Sequence, residues 1–300
     1  MFKRPTPVFD RLHEWKAGTP VGGGILIIVV TTFLAIWAYT VMAVNIKGGE
    51  LFVLLFGLIS FGLLGLLDDF KKITSPKENV HFGLTFRYKF LLQWVLAFII
   101  AYVFYAQLGY NFVYIHLFGA IPIGPLFIPL AAFIIVAFTN AFNITDGLDG
   151  LSSGLFLICL AAFWIMTQTG GGAHLDPGLA IFIAILIGSM IAFLYFNIFP
   201  ARIWLGDAGA LSLGATLAII GLLTGRITAL AVIGGIFVIE VASSFIQLFG
   251  KKFLGRKILP LAPLHLYLQG KGWEEPKIVM RFWVTGFLLA LIGLFLGAAN

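Results

Sequence analysis

Apolar runs of about twenty residues recur from one end of this chain to the other, and nothing else in the sequence constrains its fold as tightly. A helix needs about 17–25 such residues to cross the hydrocarbon core of a bilayer. Lipid offers no partners to open backbone groups, so only helices and closed barrels can cross it. Nine segments qualify, near 22–44, 51–67, 90–108, 125–142, 151–168, 178–196, 209–223, 229–249 and 278–298. The expected fold is all-α: a polytopic membrane helical bundle of about nine transmembrane helices, forming a single integral-membrane domain over 1–300. Composition agrees, with 60% hydrophobic and 11% charged residues, against about 45–50% and 25% in soluble domains. The one cysteine, Cys159, sits inside an apolar run, which excludes an intrachain disulfide and a thiolate metal cluster. The first apolar run is too long for a signal-peptide core and no A-x-A-like site follows it, so no cleavable signal is expected.

The charges fall on one side. Seventeen of the nineteen basic residues lie in the N-terminal segment, the 68–89 loop, at Arg202 or in the 250–281 region, and only Lys47 and Arg226 lie in the opposite connectors. By the positive-inside rule the N-terminus and the long loops are cytoplasmic, and the C-terminus is external. Five acids repeat the asymmetry: Asp68, Asp69, Asp146, Asp149 and Asp207 occupy cytoplasmic helix ends in three separate loops. Glu50 and Asp176 are placed outside, and Glu240 within a span.

Each acidic motif has a chemical and a structural reading. Asp68-Asp69 ends an apolar run and precedes Lys71-Lys72. Carboxylates at a helix C-terminus oppose the macrodipole, so a metal, the lysines or simple solvation must offset them. Successive helical residues point about 100° apart, which predicts different roles for the two aspartates. The segment from Asn140 through Asn143 and Thr145 to Asp146-Gly-Leu-Asp149-Gly150 is dense in oxygen donors. It reads as a ligand loop or as an Asx-type turn capping the next helix. Asp207 stands just before a helix, where a carboxylate is also a good N-cap. Arg202 can pair with phosphate and Trp204 can stack on a planar ring. Together the acids fit a hard cation such as Mg²⁺, which takes one or two carboxylates plus substrate phosphates. The five histidines show no zinc-like spacing.

Two further stretches are less specific. Lys16-Ala17-Gly18-Thr19-Pro20-Val21-Gly22-Gly23-Gly24 offers a cation, a hydroxyl and exposed amides that can cradle a diphosphate, or is simply a flexible helix start. The loop from Pro260 to Lys277 can cover a polar head group or lie on lipid as an amphipathic segment. Glu240, at about 2.5–3.5 kcal/mol on insertion scales, forms a polar stripe at helical spacing with Ser243, Ser244 and Gln247. That stripe suits interhelical hydrogen bonding or, as the less favoured reading, a contact to the reacting head group.

These segments resemble the polyprenyl-phosphate N-acetylhexosamine-1-phosphate transferase superfamily, and within it the phospho-N-acetylmuramoyl-pentapeptide transferase family. The carrying stretches are AGTPVGGG (17–24), GLLDDFKK (65–72), GLTFRYKFLLQ (83–93), NAFNITDGLDGLSSG (140–154), NIFPARIWLGDAGALSLG (197–214) and APLHLYLQGKGWEEPKIVMRFW (262–283). The resemblance implies transfer of phospho-MurNAc-pentapeptide from UDP-MurNAc-pentapeptide to undecaprenyl phosphate, giving lipid I and UMP. It also implies Mg²⁺ as cofactor, an active site at the cytoplasmic face of the bacterial inner membrane, no nucleic-acid partner and a homodimer. By the same resemblance Asp68, Asp69, Asp207 and His265 are catalytic, with Asp207 and Asp68 on the metal. Lys16, Thr19, Lys89, Asn140, Asn143, Asp146, Asp149, Asn197 and Trp204 line the substrate site. The family has ten spans, one of them ahead of the T-P motif, whereas this chain opens just before that motif. A histidine triplet of the family reads His265-Leu266-Tyr267 here, its T-P-T-M-G-G reads Thr19-Pro20-Val21-Gly22-Gly23, and Ala208 replaces a usual threonine.

Three other functions fit parts of the pattern. A sibling enzyme would move GlcNAc-1-phosphate or another sugar phosphate onto the same carrier. An ion-coupled transporter would place its acids near the bilayer midplane, often in inverted repeats, whereas here they gather at one surface. An inactive relative would serve as a scaffold.

Overall fold

The computed structural model describes residues 16, 18–41, 48–74, 84–116, 118–169 and 177–298. Lys3, Arg4, Arg11, Lys47, Lys77 and Asp176, used above to orient the chain, lie outside the described residues.

Helices dominate, in the order α1 (Gly23–Val41), α2 (Gly48–Thr74), α3 (Phe86–Ala106), α4 (Phe127–Thr145), α5 (Leu151–Thr169), α6 (Pro177–Asn197), α7 (Gly206–Leu223), α8 (Ile227–Ile233), α9 (Gly235–Phe253), α10 (Leu264–Gly270) and α11 (Glu275–Ala298). Among the described residues eight of these are long and apolar enough to cross a bilayer. The expected 229–249 span is broken instead. Helices α8 and α9 meet at Gly234 with a 78° bend, so they count as a ninth span only if the bent pair is taken as one. The Gly234-Gly235 pair explains the break, because glycine is the weakest helix former after proline, by about 1 kcal/mol relative to alanine. A side chain at Gly234 would also strike the Phe138 ring, 2.5 Å from where its Cβ would sit.

A second departure lies between α3 and α4. There Phe112–Ile115 (β1) pairs antiparallel with Gly119–Pro122 (β2), Phe112 opposite Pro122 and Ile115 opposite Gly119. The aromatic and β-branched Phe-Val-Tyr-Ile run favours a strand, and Gly119, at φ +76°, takes a left-handed conformation as β2 begins.

Helix α7 is the axis of the bundle. Every residue from Ala208 to Leu223 is buried, and a helix apolar all round belongs in a core. Glycines let its neighbours approach. A Cβ built on Gly65 of α2 would lie 2.1 Å from the Asp207 carbonyl oxygen, and one on Gly24 of α1 would lie 2.2 Å from Gly209 Cα. In hydrocarbon, where apolar faces gain little from meeting, such small residues set how closely helices pack. Both contacts lie at the same end of α7, so the acidic end of α2 and the N-terminus of α7 are pressed together.

Gly65→Ala should therefore lower the thermal unfolding temperature in detergent. The added methyl meets backbone, and overpacking of that kind costs about 1–3 kcal/mol, more than the helix-propensity gain of about 1 kcal/mol. Gly57→Ala, whose methyl would meet side-chain atoms of Ile219 and Ile100 and collide only with the terminal Cδ1 of Ile219, should cost less. Equal melting temperatures for Gly65→Ala and wild type would show that α2 can move away from α7.

Candidate active site

Five charged groups from three helices converge where α2 meets α7. Asp207 Oδ2 accepts from Lys72 Nζ at 2.7 Å and from Lys89 Nζ at 2.6 Å. The same two ammonium groups reach Asp68 Oδ2, at 3.1 Å and 2.9 Å. Asp68 Oδ1 accepts the Leu84 amide at 2.6 Å, and Asn143 Nδ2 donates to Asp207 Oδ1 at 3.1 Å. Asp68 is buried, whereas the Lys72 side chain is 39% exposed and marks the open side of the cluster.

The two adjacent aspartates do different work, as their helical positions predict. Asp68 faces the lysines. Asp69 Oδ2 accepts the Ala208 amide at 3.0 Å and so satisfies one of the open N–H groups at the start of α7. Leu205, at the N-cap position, has no side-chain oxygen to offer. Because Asp69 performs the capping, the Asp207 carboxylate is left to face the lysines and Asn143.

A second polar knot stands beside the first, and several residues expected at the substrate site bond to one another in it. Lys16 Nζ donates to Asp149 Oδ1 at 2.7 Å and to Glu275 Oε1 at 2.5 Å, all three groups being buried. Asp149 also accepts Trp204 Nε1 at 3.2 Å and the Ala201 amide at 2.9 Å, and its own amide donates to Glu275. Lys16, Asp149 and Trp204 thus bind one another and tie the N-terminal segment, the α4–α5 loop, the α6–α7 loop and the start of α11 together. Asn197 is equally engaged: its Oδ1 accepts Ser153 Oγ at 2.7 Å and the Gly150 amide at 3.2 Å, while Nδ2 donates to the Ile203 carbonyl at 3.0 Å. The exposed amides expected over 22–24 are a correction. Those of Gly22 and Gly23 donate to the Trp204 carbonyl and that of Gly24 to the Leu205 carbonyl, so this stretch is sewn to the α6–α7 loop and its amides are not free for a diphosphate. Thr19, half-buried, adjoins it and donates its amide to the Lys16 carbonyl at 3.2 Å. Asn140 sits on the inner face of α4 and donates to Gln93 Oε1 at 2.7 Å.

His265 approaches the α4–α5 loop from a third direction. Glu240, Ser243 and Gln247 lie three and four residues apart on one face of α9 and receive the chain that follows that helix. Gln247 Oε1 accepts the amides of Ile258 and Leu259, Ser243 Oγ accepts that of Leu264, and Glu240 Oε1 accepts that of His265 at 3.1 Å. Glu240 Oε2 also lies 3.0 Å from His265 Nδ1. The stripe thus bonds to the connector after α9 and to the first turn of α10, which carries His265, and not to a neighbouring membrane-spanning helix. The opposite ring nitrogen faces the α4–α5 loop, where a Cβ on Gly147 would come within 2.5 Å of Nε2.

Lys72, Glu275 and Gln93 were not among the expected site residues. Lys72 had a legible signal, standing four residues after Asp68 and three after Asp69 on one helix. Glu275 and Gln93 had none, because their partners are more than forty residues away in the chain. Among the described residues no three acidic, histidine or cysteine side chains form a ready-made metal cage. Asp207 and Asp68 nevertheless fit a divalent cation. Their oxygens already draw two positive charges to one place, and Mg²⁺ at a phosphoryl-transfer site takes one or two carboxylates and completes its shell from substrate.

Asp146, on the loop between α4 and α5, is set apart from the other acids. Burial pushes its carboxyl up to about 6, against the pull of the Ser152 hydroxyl that donates to it at 2.5 Å. A carboxyl whose folded pKa is raised favours the fold while protonated. That contribution is present below the unfolded value of 3.8 and is lost as pH rises through about 6. In metal-free buffer, the melting temperature of wild type relative to Asp146→Asn should fall between pH 4 and pH 7, because the amide stays neutral throughout. A constant difference across that range would show that Asp146 is ionised at all these pH values.

Comparison with known proteins shows the family. The glycosyl transferase family 4 profile matches residues 51–225, from α2 through α7. A phospho-N-acetylmuramoyl-pentapeptide-transferase of Geobacillus sp. (strain WCH70) is 38% identical over 290 residues, covering 95% of this chain and 85% of that protein. Proteins of the same name from Rickettsia prowazekii (strain Madrid E) and Geobacillus thermodenitrificans (strain NG80-2) are 37% and 36% identical, covering 94% and 95% of this chain and 80% and 85% of theirs. With its apolar helices and its acidic cluster at the ends of α2 and α7, this integral membrane protein belongs to glycosyl transferase family 4 and, within it, to the phospho-N-acetylmuramoyl-pentapeptide-transferases.

Proposed function

We propose that this chain transfers phospho-N-acetylmuramoyl-pentapeptide from its UDP-linked donor to undecaprenyl phosphate, with lipid I and UMP as products. The observation that carries the reading is the meeting of Asp68, Asp69 and Asp207 with Lys72 and Lys89 at one mouth of the bundle, in a chain so similar to transferases of that name. The mouth faces the cytoplasm, because the basic loops gather on its side.

Both substrates are phosphate anions, and the cluster suits them. An oxygen of the lipid phosphate forms a bond to the β-phosphorus of the donor, the bond from that phosphorus to the UMP oxygen breaks, and UMP leaves with the electron pair. The nucleophile is already anionic, so no covalent enzyme intermediate is needed. Lys72, on the open side, and Lys89 beside it supply positive charge to the phosphates, while Asp68, held by the Leu84 amide, orients both ammonium groups. Positioning and electrostatics of this kind account for most of phosphoryl-transfer catalysis. Asp207 and Asp68 would hold Mg²⁺, which supplies charge neutralisation for the diphosphate and for the leaving UMP. Asn143 keeps the Asp207 carboxylate turned toward the cluster, and the knot of Lys16, Asp149 and Glu275 walls the site.

Purified protein in detergent should release UMP only when given UDP-MurNAc-pentapeptide, undecaprenyl phosphate and Mg²⁺ together. Asp207→Asn should lower that rate by about a hundred- to thousandfold, the usual cost of losing one electrostatic contact to developing charge, with the melting temperature little changed. Near-normal release by Asp207→Asn would remove it from the reaction. A UDP-GlcNAc preference in wild type would move the chain to the sibling activity, and a competent phospho-sugar adduct on the protein would replace direct attack by a two-step route.

A further inference from the structure

The ring of His265 can carry its proton on either nitrogen. Glu240 decides that. It is fully buried and touches His265 twice, accepting the backbone N–H at Oε1, 3.1 Å away, and meeting ring Nδ1 at Oε2, 3.0 Å away. A carboxylate can only accept, and a neutral imidazole has one N–H to give. A bare Nδ1 would set two lone pairs against each other at 3.0 Å, too close for a water to stand between them, and would leave both polar groups unpaired. The proton therefore belongs on Nδ1 and the lone pair on Nε2. Nε2 in turn looks onto the α4–α5 loop across Gly147, where any side chain would fill the space in front of it.

We propose that Glu240 is a positioning residue that locks His265 in its Nδ1–H form, so that Nε2 is presented beside the Asp146–Asp149 loop as an acceptor for an N–H or O–H group of the nucleotide-sugar donor. The part concerning the donor rests on the transferase reading; the tautomer does not. Ser243 and Gln247 supply the contrast. They hold the same loop through the Leu264, Ile258 and Leu259 amides, but neither is bonded to the ring. Removing them loosens the loop without choosing a tautomer.

The test uses the full chain, labelled with ¹⁵N-histidine, at pH 8. The His265 signal is assigned in a chain whose four other histidines, His13, His81, His116 and His174, are replaced by glutamine. Wild type should give the nitrogen shifts of the Nδ1–H form. In Glu240→Gln the amide oxygen can keep the backbone bond while the amide N–H donates to Nδ1, so the ring proton should move to Nε2. The kcat/KM for UMP release should then fall by about ten- to hundredfold, as expected when a buried acceptor becomes a donor. Ser243→Ala should lower the melting temperature yet keep the Nδ1–H signal and most of kcat/KM. An Nε2–H or imidazolium signal in wild type overturns the proposal without recourse to any variant. So does a Glu240→Gln protein that changes tautomer but retains turnover, or a Ser243→Ala protein that loses as much activity with its tautomer intact. If wild type releases no UMP, the transferase reading fails, and the ¹⁵N spectrum still decides what Glu240 does.

Discussion

The site depends on charge compensation at the edge of the membrane. Asp68, Asp69 and Asp207 bring three negative charges to the ends of two helices, and the ammonium groups of Lys72 and Lys89 return two. Carboxylates so far from bulk water persist only with partners, since burying an unpaired charge costs several kcal/mol. Two lysines against three aspartates leave a negative remainder. The balance shifts when a polyanionic substrate arrives, because the same lysines are then drawn toward phosphate and the aspartates are left in need of another cation. The Mg²⁺ proposed for this site would answer that negative remainder.

Close helix contact makes the compensation feasible. The acids of α2 meet Asp207 only because Gly65 lets α2 lie against the first turn of α7, and Gly24 and Gly209 do the same for α1. The glycines of this region do not need to be flexible. They act as an absence of side chain at the points where backbone meets backbone, and they place the carboxylates within reach of the same two lysines. A division of labour among the acids follows. Asp69 satisfies the N-terminus of α7, Asp149 and Glu275 hold Lys16, and Glu240 holds His265, so Asp68 and Asp207 alone face the lysine pair with both partners shared.

The sequence makes the helices legible because their apolar runs are long, and it makes the acidic end legible because five carboxylates at one surface have few structural excuses. Local signals also separate Asp68 from Asp69, which stand on different faces of one helix. What the sequence hides is which polar groups satisfy each other. Trp204, Asp149 and Asn197 carry ligand-like chemistry, but whether they greet a substrate or a neighbour depends on a loop fifty residues away. The glycine stretch after Thr19 has free amides only until the Trp204 carbonyl is brought to it. The bend at Gly234 is hidden for another reason: two glycines inside an apolar run weaken a helix, but the sequence does not reveal that the Phe138 ring lies where a side chain on the first of them would go.

That bend connects the two halves of the site. Had α8 and α9 continued as one straight span, Glu240 would face hydrocarbon or a neighbouring helix at a cost of several kcal/mol, and the loop it anchors would have nothing to rest on. With the chain turned by 78°, the polar face of α9 meets the connector at Ile258 and Leu259 and the first residues of α10. The costly carboxylate then becomes the acceptor for both a backbone amide and an imidazole. The loop bearing Asp146, Gly147 and Asp149 lies between this imidazole and the Lys16 knot, held by Glu275 at one end and overlooked by His265 at its middle. Glu240, His265 and the α4–α5 loop thus adjoin in one line, and Asn143, at the C-terminal end of the helix before that loop, continues it to Asp207.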